Sequence, residues 1–371
     1  MESAGAYSGA FVRDGDNGER LFAWEHTKPR ILASNTKLFT VGAALATRGP
    51  DGKLRTRAAA AHPLNQATGV VRGNLYLIGG GDPAFGSKAF VGQEYGGGAT
   101  VEQLARRLRD AGLREVRGRV VGDESLFDSR RSGPGTDPVE VGGVLSALAF
   151  NHGLTLSRKL QSDPPAYAAS KLTDALRGAG VKVGKPARQG TAPAGAAELA
   201  HADSLPVERL AELTLPPSDN YFAELLAKGL GTGTTASGAS AVVDFARERG
   251  AKLKLSDGSG LSRSDQAAPQ ELVQFLDHEQ DAPEYGALFS AMPIAGVNGT
   301  LAGRMRSGYA HHNCRAKTGT LIDVSALSGY CKSRGGHTLV FSILMNRVSS
   351  VSDAESLQDK MAQSMAKYNG G

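Results

Sequence analysis

The sequence predicts an α+β fold in which a roughly five-stranded antiparallel sheet is flanked by helices and interrupted by a smaller inserted domain. The first segment of the chain has the pattern of a hairpin, the last segment holds three strand-like runs, and helical segments lie between them. The simplest closure pairs these two ends in one sheet. Residues 56–204 differ, because short apolar runs alternate there with Gly- and Pro-rich turns. The predicted domains are therefore 1–55 with 205–371, and the insert 56–204.

The N-terminal elements follow from turn and helix signals. In residues 6–25, "AYSGAFVR" and "ERLFAWE" flank the turn cluster "DGDNG", which predicts a hairpin. The next stretch, "ILASNTKLFTVGAALA", predicts a helix that begins near Ser34 and ends at the breaker "RGPDG". Apolar residues cover most of its circumference, so we expect this helix to be buried on all sides.

The later elements follow in chain order. The insert holds the strand-like runs "GVVRGNLYLIGG" and "VRGRVVGD" and the helical runs "TVEQLARRLRDAG" and "AYAASKLTDALRGAG". Further helices, "PVERLAELTL", "NYFAELLAKGLG" and "ASAVVDFARERG", follow residue 205. Three C-terminal strands are predicted at 312–321, 325–332 and 337–346. A terminal helix is predicted from Ser352, which forms a capping-box pattern with Glu355.

Composition narrows the class of protein. The 371 residues are 40% hydrophobic and 21% charged, which suits a large folded core. The net charge is +5, but 42 basic and 37 acidic residues are interspersed and only 6% are aromatic, which argues against a nucleic-acid surface. The sequence contains no run of 18 apolar residues, so it predicts no transmembrane segment. The first residues lack a signal-peptide pattern, so we expect either a cytoplasmic protein or a removed signal.

Ser34 and Lys37 form the first candidate site. Positions i and i+3 of a helix share one face, so the two side chains can form a hydrogen bond. A serine needs an adjacent base to act as a nucleophile, and a lysine amine can serve when burial lowers its pKa. Backbone N–H groups at a helix N-terminus can also hold an oxyanion. Because an S-x-x-K pattern is common, this pair alone favours a helix cap beside a snorkelling lysine over a catalytic pair.

Two further motifs strengthen the catalytic interpretation. Ser218, Asp219 and Asn220 precede an amphipathic helix, and the run Lys317–Gly319 lies on a β-branched strand. Each motif alone fits a simple helix cap or an ordinary strand. The order S-x-x-K, S-D-N and K-T-G is the signature shared by class A β-lactamases and penicillin-binding proteins. The three motifs together therefore predict a serine acyl-transfer site.

The chain resembles the D-alanyl-D-alanine carboxypeptidase/endopeptidase group of low-molecular-weight, class C penicillin-binding proteins. The resemblance covers nearly the whole chain and rests on "ASNTKLFT", "LYLIGGGDP", "SALAFN", "SDNYFAELL", "DGSGLSR", "MPIAGVNGTL" and "AKTGTL". Lys37 and Ser218 are 181 residues apart, and members of this group carry an extra domain at that place. The resemblance implies a β-lactamase/transpeptidase-like fold with a comparatively small insert.

The resemblance also implies the site residues and the partners. By matching motif, the catalytic residues of this chain would be Ser34, Lys37, Ser218, Asn220 and Lys317. The substrate-binding residues would be Thr318, Gly319 and Thr320. Ser34 would be acylated, Lys37 would take its proton, and Ser218 would relay a proton to the leaving amine. The partners would be peptidoglycan stem peptides and β-lactams. We expect no cofactor, no metal and no nucleic acid.

Other residues of the motifs would bind the substrate. Asn220 would hold Lys37 and the amide of the substrate, and Lys317 would supply positive potential. Thr318 and Thr320 would bind the terminal carboxylate, and the backbone N–H groups of Ser34 and Thr320 would form the oxyanion hole. Two alternatives stay open at this stage, a serine β-lactamase and a non-catalytic module that binds penicillin or the cell wall.

Cys314 and Cys331 bear on the compartment. If the hairpin turn centres on Ile322 and Asp323, the two cysteines are opposite partners, with Cα atoms about 4.5–5.5 Å apart. Such a separation permits a disulfide, which an oxidising compartment would allow, although two free thiols fit the same pattern. Because the implied substrate lies outside the cytoplasmic membrane, we expect an exported protein whose signal peptide is absent from this chain.

Overall fold

The structure, a computed structural model, describes residue 5 and residues 7–370. The strands of this part of the chain are β1 (Ser8–Asp14), β2 (Arg20–Trp24), β3 (Arg30–Ile31), β4 (Arg55–Ala60), β5 (Val70–Val71), β6 (Leu75–Ile78), β7 (Glu115–Val116), β8 (Val120–Asp123), β9 (Lys182–Val183), β10 (Arg188–Gln189), β11 (Ala197–Asp203), β12 (Leu253–Lys254), β13 (Gln266–Ala267), β14 (Cys314–Leu321), β15 (Val324–Lys332) and β16 (Thr338–Asn346). Its helices are α1 (Thr36–Arg48), α2 (Lys88–Tyr95), α3 (Val101–Asp110), α4 (Pro138–Val141), α5 (Pro164–Gly178), α6 (Val207–Thr214), α7 (Asn220–Leu230), α8 (Thr235–Glu248), α9 (Pro269–Glu279), α10 (Tyr285–Ala291) and α11 (Val351–Lys367).

Contacts divide the chain into two compact units, each with its own core. The first unit contains residues 1–50, 207–231 and 235–371, and the second contains 51–206 and 232–234. That residues 56–204 act as an inserted accessory domain remains our proposal. No helix in the described part of the chain has the length and apolar character needed to cross a membrane.

The main sheet of the first unit joins the two ends of the chain. Its strand order is β14-β15-β16-β1-β2, and all neighbours are antiparallel. The pairing of β1 with β16 runs from Ser8 opposite Met345 to Asp14 opposite Leu339. The α+β fold with a five-stranded antiparallel sheet is therefore confirmed. Residue 6 of the predicted hairpin lies outside the described residues.

Two predicted helix starts differ from the structure by one or two residues. The segment with Ser34 forms a short 3-10 turn, Ala33–Asn35, and α1 begins only at Thr36. The terminal helix α11 begins at Val351, because the Ser350 hydroxyl accepts the cap hydrogen bond from the Asp353 N–H at 3.2 Å. The predicted cap residue, Ser352, lies inside that first turn. By contrast, α1 is buried on every side from Thr36 to Leu45, as its pattern predicted.

The second unit is built from two sheets covered by helices. Its mixed five-stranded sheet has the order β10-β8-β6-β4-β11, and a small parallel sheet has the order β5-β7-β9. Leucines from α3 and α5, including Leu104 and Leu172, pack with Leu75 and Leu77 of β6 in one core. Each sheet therefore has one face in a common apolar interior.

The β14–β15 hairpin is held by a disulfide between Cys314 and Cys331. The two residues are directly opposite in the strand register, as the predicted turn at Ile322 and Asp323 requires. Their Cα atoms are 4.0 Å apart, and both residues are fully buried. The disulfide joins residues 17 positions apart and attaches β14, the strand that carries Lys317, to β15.

Replacing both cysteines by serine should lower the free energy of unfolding by about 3 kcal/mol, the value for a loop of this length. The loss arises because the unfolded chain regains freedom that the crosslink removes. Denaturant titration of the double variant and of the oxidised protein measures it. Alkylation of two thiols in the unreduced, unfolded wild type, together with unchanged stability of the variant, would contradict the expectation.

Candidate active site

Ser34 is held between two backbone segments at the start of α1. The Asn35 side-chain amide donates to the Lys317 carbonyl at 3.1 Å, which ties the Ser34 turn to β14. On the other side, Gly260 adopts φ +84°, and a Cβ there would collide with the Ala33 carbonyl. A glycine is therefore required where the loop 257–260 approaches the turn. Ser34 itself is partly exposed, so its hydroxyl can meet a substrate.

Lys37 is fully buried, and its amine meets three acceptors. The Nζ atom lies 3.0 Å from Ser34 Oγ, 2.7 Å from Asn220 Oδ1 and 2.7 Å from the Ser259 carbonyl. An ammonium can donate to all three. A neutral amine can still donate to Asn220 and Ser259 while it accepts from the Ser34 hydroxyl. The contacts thus fit both states of a base that takes a proton from Ser34.

The S-D-N motif lies in the loop from α6 to α7. Asp219 caps α7, because its carboxylate accepts from the Phe222 N–H at 2.8 Å, and Asn220 is the first residue of that helix. Ser218 has a left-handed backbone with φ +61°. Within the described residues its hydroxyl makes no hydrogen bond, and the residue is half-buried. The loop therefore places Asn220 in hydrogen-bond contact with Lys37, whereas Ser218 forms no hydrogen bond with Ser34 or Lys37.

The K-T-G motif lies on the edge strand β14. Gly319 packs against the serine turn, since a Cβ there would lie 3.0 Å from the backbone N of Ser34. The buried Lys317 amine donates to the Thr318 carbonyl at 2.8 Å, and Thr318 Oγ1 lies 2.6 Å from Thr300 Oγ1. Thr320 is exposed. The three motifs therefore meet around one serine.

Buried carboxylates form a second layer behind Lys37. Asp257 accepts from the N–H groups of Ser259, Gly260 and Ser262 at 2.6–3.1 Å, which folds the loop around its carboxylate. Glu224 accepts from the N–H groups of Gly258 and Ser259 at 3.1 and 2.9 Å. Both acids thus fix the segment whose Ser259 carbonyl faces the Lys37 amine.

Burial sets the protonation of the two lysines. It lowers the pKa of Lys37 to about 8, although the carboxylates of Asp257, Asp219, Glu224 and Asp265 oppose the shift. Burial, and secondly the charge of Lys37, hold the pKa of Lys317 well below its usual value. A neutral Lys37 is therefore accessible near neutral pH, as a general base requires.

The rate of serine acylation by a β-lactam should rise from pH 6 to pH 9 with its midpoint at about 8, the pKa of Lys37. The rate increases with pH because only the neutral Lys37 amine can accept the Ser34 proton. Glu224→Gln should move the midpoint to lower pH, since it removes a negative charge that favours protonated Lys37. Stopped-flow acylation across pH measures both effects.

Glu248→Gln is the matched control, because Glu248 is exposed on α8. Its profile should overlay that of the wild type. A flat or falling profile, or a midpoint that rises in Glu224→Gln, would contradict the assignment of Lys37 as the base.

Several residues of this site were not assigned roles from the sequence. Glu224 follows Asn220 by one helical turn and is the single acidic residue of the run "NYFAELLAKGL", which was a usable signal. Asp257 and Ser259 lie in "DGSGLSR", a phrase that indicates the family but not the roles of these residues. Thr300 likewise lies in a phrase of the resemblance, "MPIAGVNGTL", but its contact with Thr318 exists only in the folded chain.

The residues that could bind a metal ion are separate from those around Ser34. Among the described residues, the group of His, Cys, Asp and Glu side chains close enough to share an ion is Asp14, Asp16 and His337. These residues lie at the β1–β2 turn and at the start of β16, and none of them forms a hydrogen bond with Ser34 or Lys37. The side chains around Ser34 are instead amines, amides, hydroxyls and carboxylates, which suit proton transfer and hydrogen bonding.

Comparison with known proteins gives consistent matches. The chain is 29% identical to a D-alanyl-D-alanine carboxypeptidase of Actinomadura sp. (strain R39), over 99% of this chain and 82% of the relative. It is 31% identical to the carboxypeptidase DacB of Mycolicibacterium smegmatis, over 90% of this chain and 75% of that protein. The crystal structure of penicillin-binding protein 4 from Haemophilus influenzae superimposes with a TM-score of 0.82 at 20% identity, covering 97% and 96% of the two chains, and so shares the fold.

The sequence profile of one family spans the chain, with matches at residues 2–148 and 137–368. The predicted resemblance to serine-type D-Ala-D-Ala carboxypeptidases is thereby confirmed. This chain belongs to the D-Ala-D-Ala carboxypeptidase 3 (S13) family.

Proposed function

We propose that this protein is a serine D,D-peptidase that removes the terminal D-Ala from peptidoglycan stem peptides and cleaves D,D-crosslinks. The contact between Lys37 Nζ and Ser34 Oγ, at 3.0 Å, carries the proposal. It joins a partly exposed hydroxyl to a buried amine whose pKa is lowered to about 8. A nucleophile beside such a base is the arrangement that covalent acyl transfer needs.

The reaction proceeds in two balanced steps. Ser34 Oγ attacks the carbonyl of the penultimate D-Ala while its proton passes to Lys37. The C–N bond then breaks, the leaving amine of the last residue receives a proton through Ser218, and an ester remains on Ser34. Water attacks this ester, returns a proton to Ser34 and releases the shortened peptide. A crosslink is cut in the same way when the leaving amine belongs to a neighbouring stem.

The free edge of β14 supplies the substrate contacts. Cys314 O and Ala316 N form hydrogen bonds on that side with residues 295 and 293, so alternation directs the N–H groups of Thr318 and Thr320 the same way. The Thr320 N–H would hold the developing oxyanion together with that of Ser34. The terminal carboxylate would meet Thr318, Thr320 and Lys317, whose pKa a bound anion would raise.

Incubation with a stem pentapeptide and with a crosslinked dimer, followed by mass spectrometry, tests this proposal. We expect loss of one alanine from the pentapeptide and conversion of the dimer to monomers. Turnover of neither substrate, under conditions where Ser34 is acylated by penicillin, would contradict it and favour a binding module.

A β-lactam should acylate Ser34 and remain bound for minutes or longer, because among the described residues the Ser34 hydroxyl is hydrogen-bonded to the Lys37 amine and to no second base that could serve deacylation. The decay of the penicilloyl-enzyme measures this lifetime. Sub-second turnover would indicate a serine β-lactamase instead. We further propose that the protein acts outside the cytoplasmic membrane, which the substrate and the Cys314–Cys331 disulfide both favour.

A further inference from the structure

The net positive charge of the chain resides in the second unit. Residues 51–206 contain 20 Lys and Arg against 15 Asp and Glu, whereas the remainder of the chain contains 22 of each. The sequence shows no block of basic residues, so this excess is dispersed along the chain. Folding collects part of it on one face of the small parallel sheet β5-β7-β9.

Strand alternation defines that face. Val71, Val116 and Val183 point into the core of the second unit. Val71 is opposite Val116 in the parallel register, so the next residues, Arg72 and Arg117, lie side by side on the outer face. Both arginines are exposed, on strands about 4.8 Å apart. Two like charges so placed repel each other unless an anion lies between them.

Further cations extend this row. The Lys182 N–H donates to the Arg114 carbonyl at 2.9 Å, and the Lys185 N–H donates to the Gly118 carbonyl at 2.9 Å. The side chains of Lys182 and Lys185 are exposed, whereas the Arg114 guanidinium donates to the carbonyls of Arg109 and Leu113 and does not belong to this row. Arg72, Arg117, Lys182 and Lys185 form what we call the basic face.

Few carboxylates neutralise the basic face. Glu115 Oε1 lies 3.7 Å from Arg117 Nε, with both side chains substantially exposed, so this ion pair is weak. Among the described residues, Arg72, Lys182 and Lys185 form no ion pair within 4.0 Å. The face therefore keeps most of its charge available to a ligand.

We infer that the basic face binds a linear phosphodiester polymer and thereby holds the protein to an anionic matrix. Guanidinium groups pair with phosphate oxygens in a bidentate geometry, and a row of cations across neighbouring strands suits a chain of repeated phosphates. The binding requires no catalysis. Its failure would leave the proposed peptidase activity untouched.

The surroundings of the face argue against two other partners. The segments 69–73, 114–119 and 182–189 contain no aromatic residue on which nucleic-acid bases could stack. The exposed large apolar side chains of the described chain also lie in other segments, so no anchor for a lipid surface accompanies the charge.

Fluorescence anisotropy with labelled poly(glycerol phosphate) tests the inference on the full chain. We expect saturable binding that weakens steeply between about 50 and about 200 mM salt, and about tenfold weaker binding by Arg72→Ser/Arg117→Ser. The control Lys53→Ser/Lys159→Ser removes two exposed cations from other segments of the same unit and should bind as the wild type does. Circular dichroism verifies that both variants are folded.

Several results would overturn the inference. These are no saturable binding at the lower salt concentration, equal losses in both double variants, and equal affinity for polyglutamate. Binding to anionic lipid vesicles but not to the polymer would overturn it as well. Unchanged release of D-Ala by Arg72→Ser/Arg117→Ser would separate this face from the peptidase site.

Discussion

Ser34→Ala should reduce kcat/KM for D-Ala release from a stem pentapeptide by about 10⁴-fold or more. The expected loss is large because no acyl-enzyme can form without the hydroxyl, and the neighbouring groups then have no nucleophile to assist. The Lys37 amine would keep its contacts with Asn220 and Ser259, so the variant should fold as the wild type does. Release of free D-Ala, followed enzymatically, measures the rate.

The matched control is Ser264→Ala, which removes an exposed hydroxyl from the loop that follows "DGSGLS". This control should keep the full rate. Peptidase activity of Ser34→Ala within about tenfold of the wild type would show that another group is acylated, since single removal of a nucleophile is far more costly.

Lys37→Gln should slow acylation of Ser34 by about 10²–10⁴-fold, the usual contribution of a general base. Glutamine retains a donor for Asn220 and Ser259 but cannot accept a proton at neutral pH. The rise in acylation rate between pH 6 and pH 9 should therefore disappear along with the rate itself. Stopped-flow measurement with a chromogenic β-lactam gives both quantities for the same variant.

Lys53→Gln serves as the control, because Lys53 is exposed and belongs to the second unit. A Lys37→Gln variant that keeps both the rate and its dependence on pH would show that proton transfer from Ser34 uses a different base. A variant with a normal rate but reduced thermal stability would assign Lys37 a structural role alone.

Local patterns were sufficient to predict the sheet. The turn "DGDNG" predicts a hairpin at the N-terminus, and the simplest closure placed it beside the C-terminal strands, although which strand pairs with β1 was not predicted. The disulfide register followed from one assumed turn, because opposite residues in an antiparallel hairpin are set by the turn alone. The three motifs S-x-x-K, S-D-N and K-T-G, in that order along the chain, likewise predicted that Ser34, Ser218 and Lys317 belong to one site.

Contacts made only in the folded chain could not be predicted. Glu224 acts on Lys37 through the backbone of residues 258–259, a path that requires α7 and a distant loop to meet. The Ser34 turn likewise departs from the predicted helix at a place where the backbone of Gly260 and of Gly319 approaches it closely, and both glycines are distant in sequence. The basic face is a third case, since its charges come from three separated segments.

Peptide mapping by tandem mass spectrometry, after brief exposure to benzylpenicillin, tests the central claim most directly. The account predicts one penicilloyl group per chain, carried by Ser34 and absent when Lys37 is replaced by glutamine and exposure is equally brief. An unmodified chain, or an adduct on any other residue, would contradict the assembly of one acylation site from Ser34, Asn220 and the Lys317 strand.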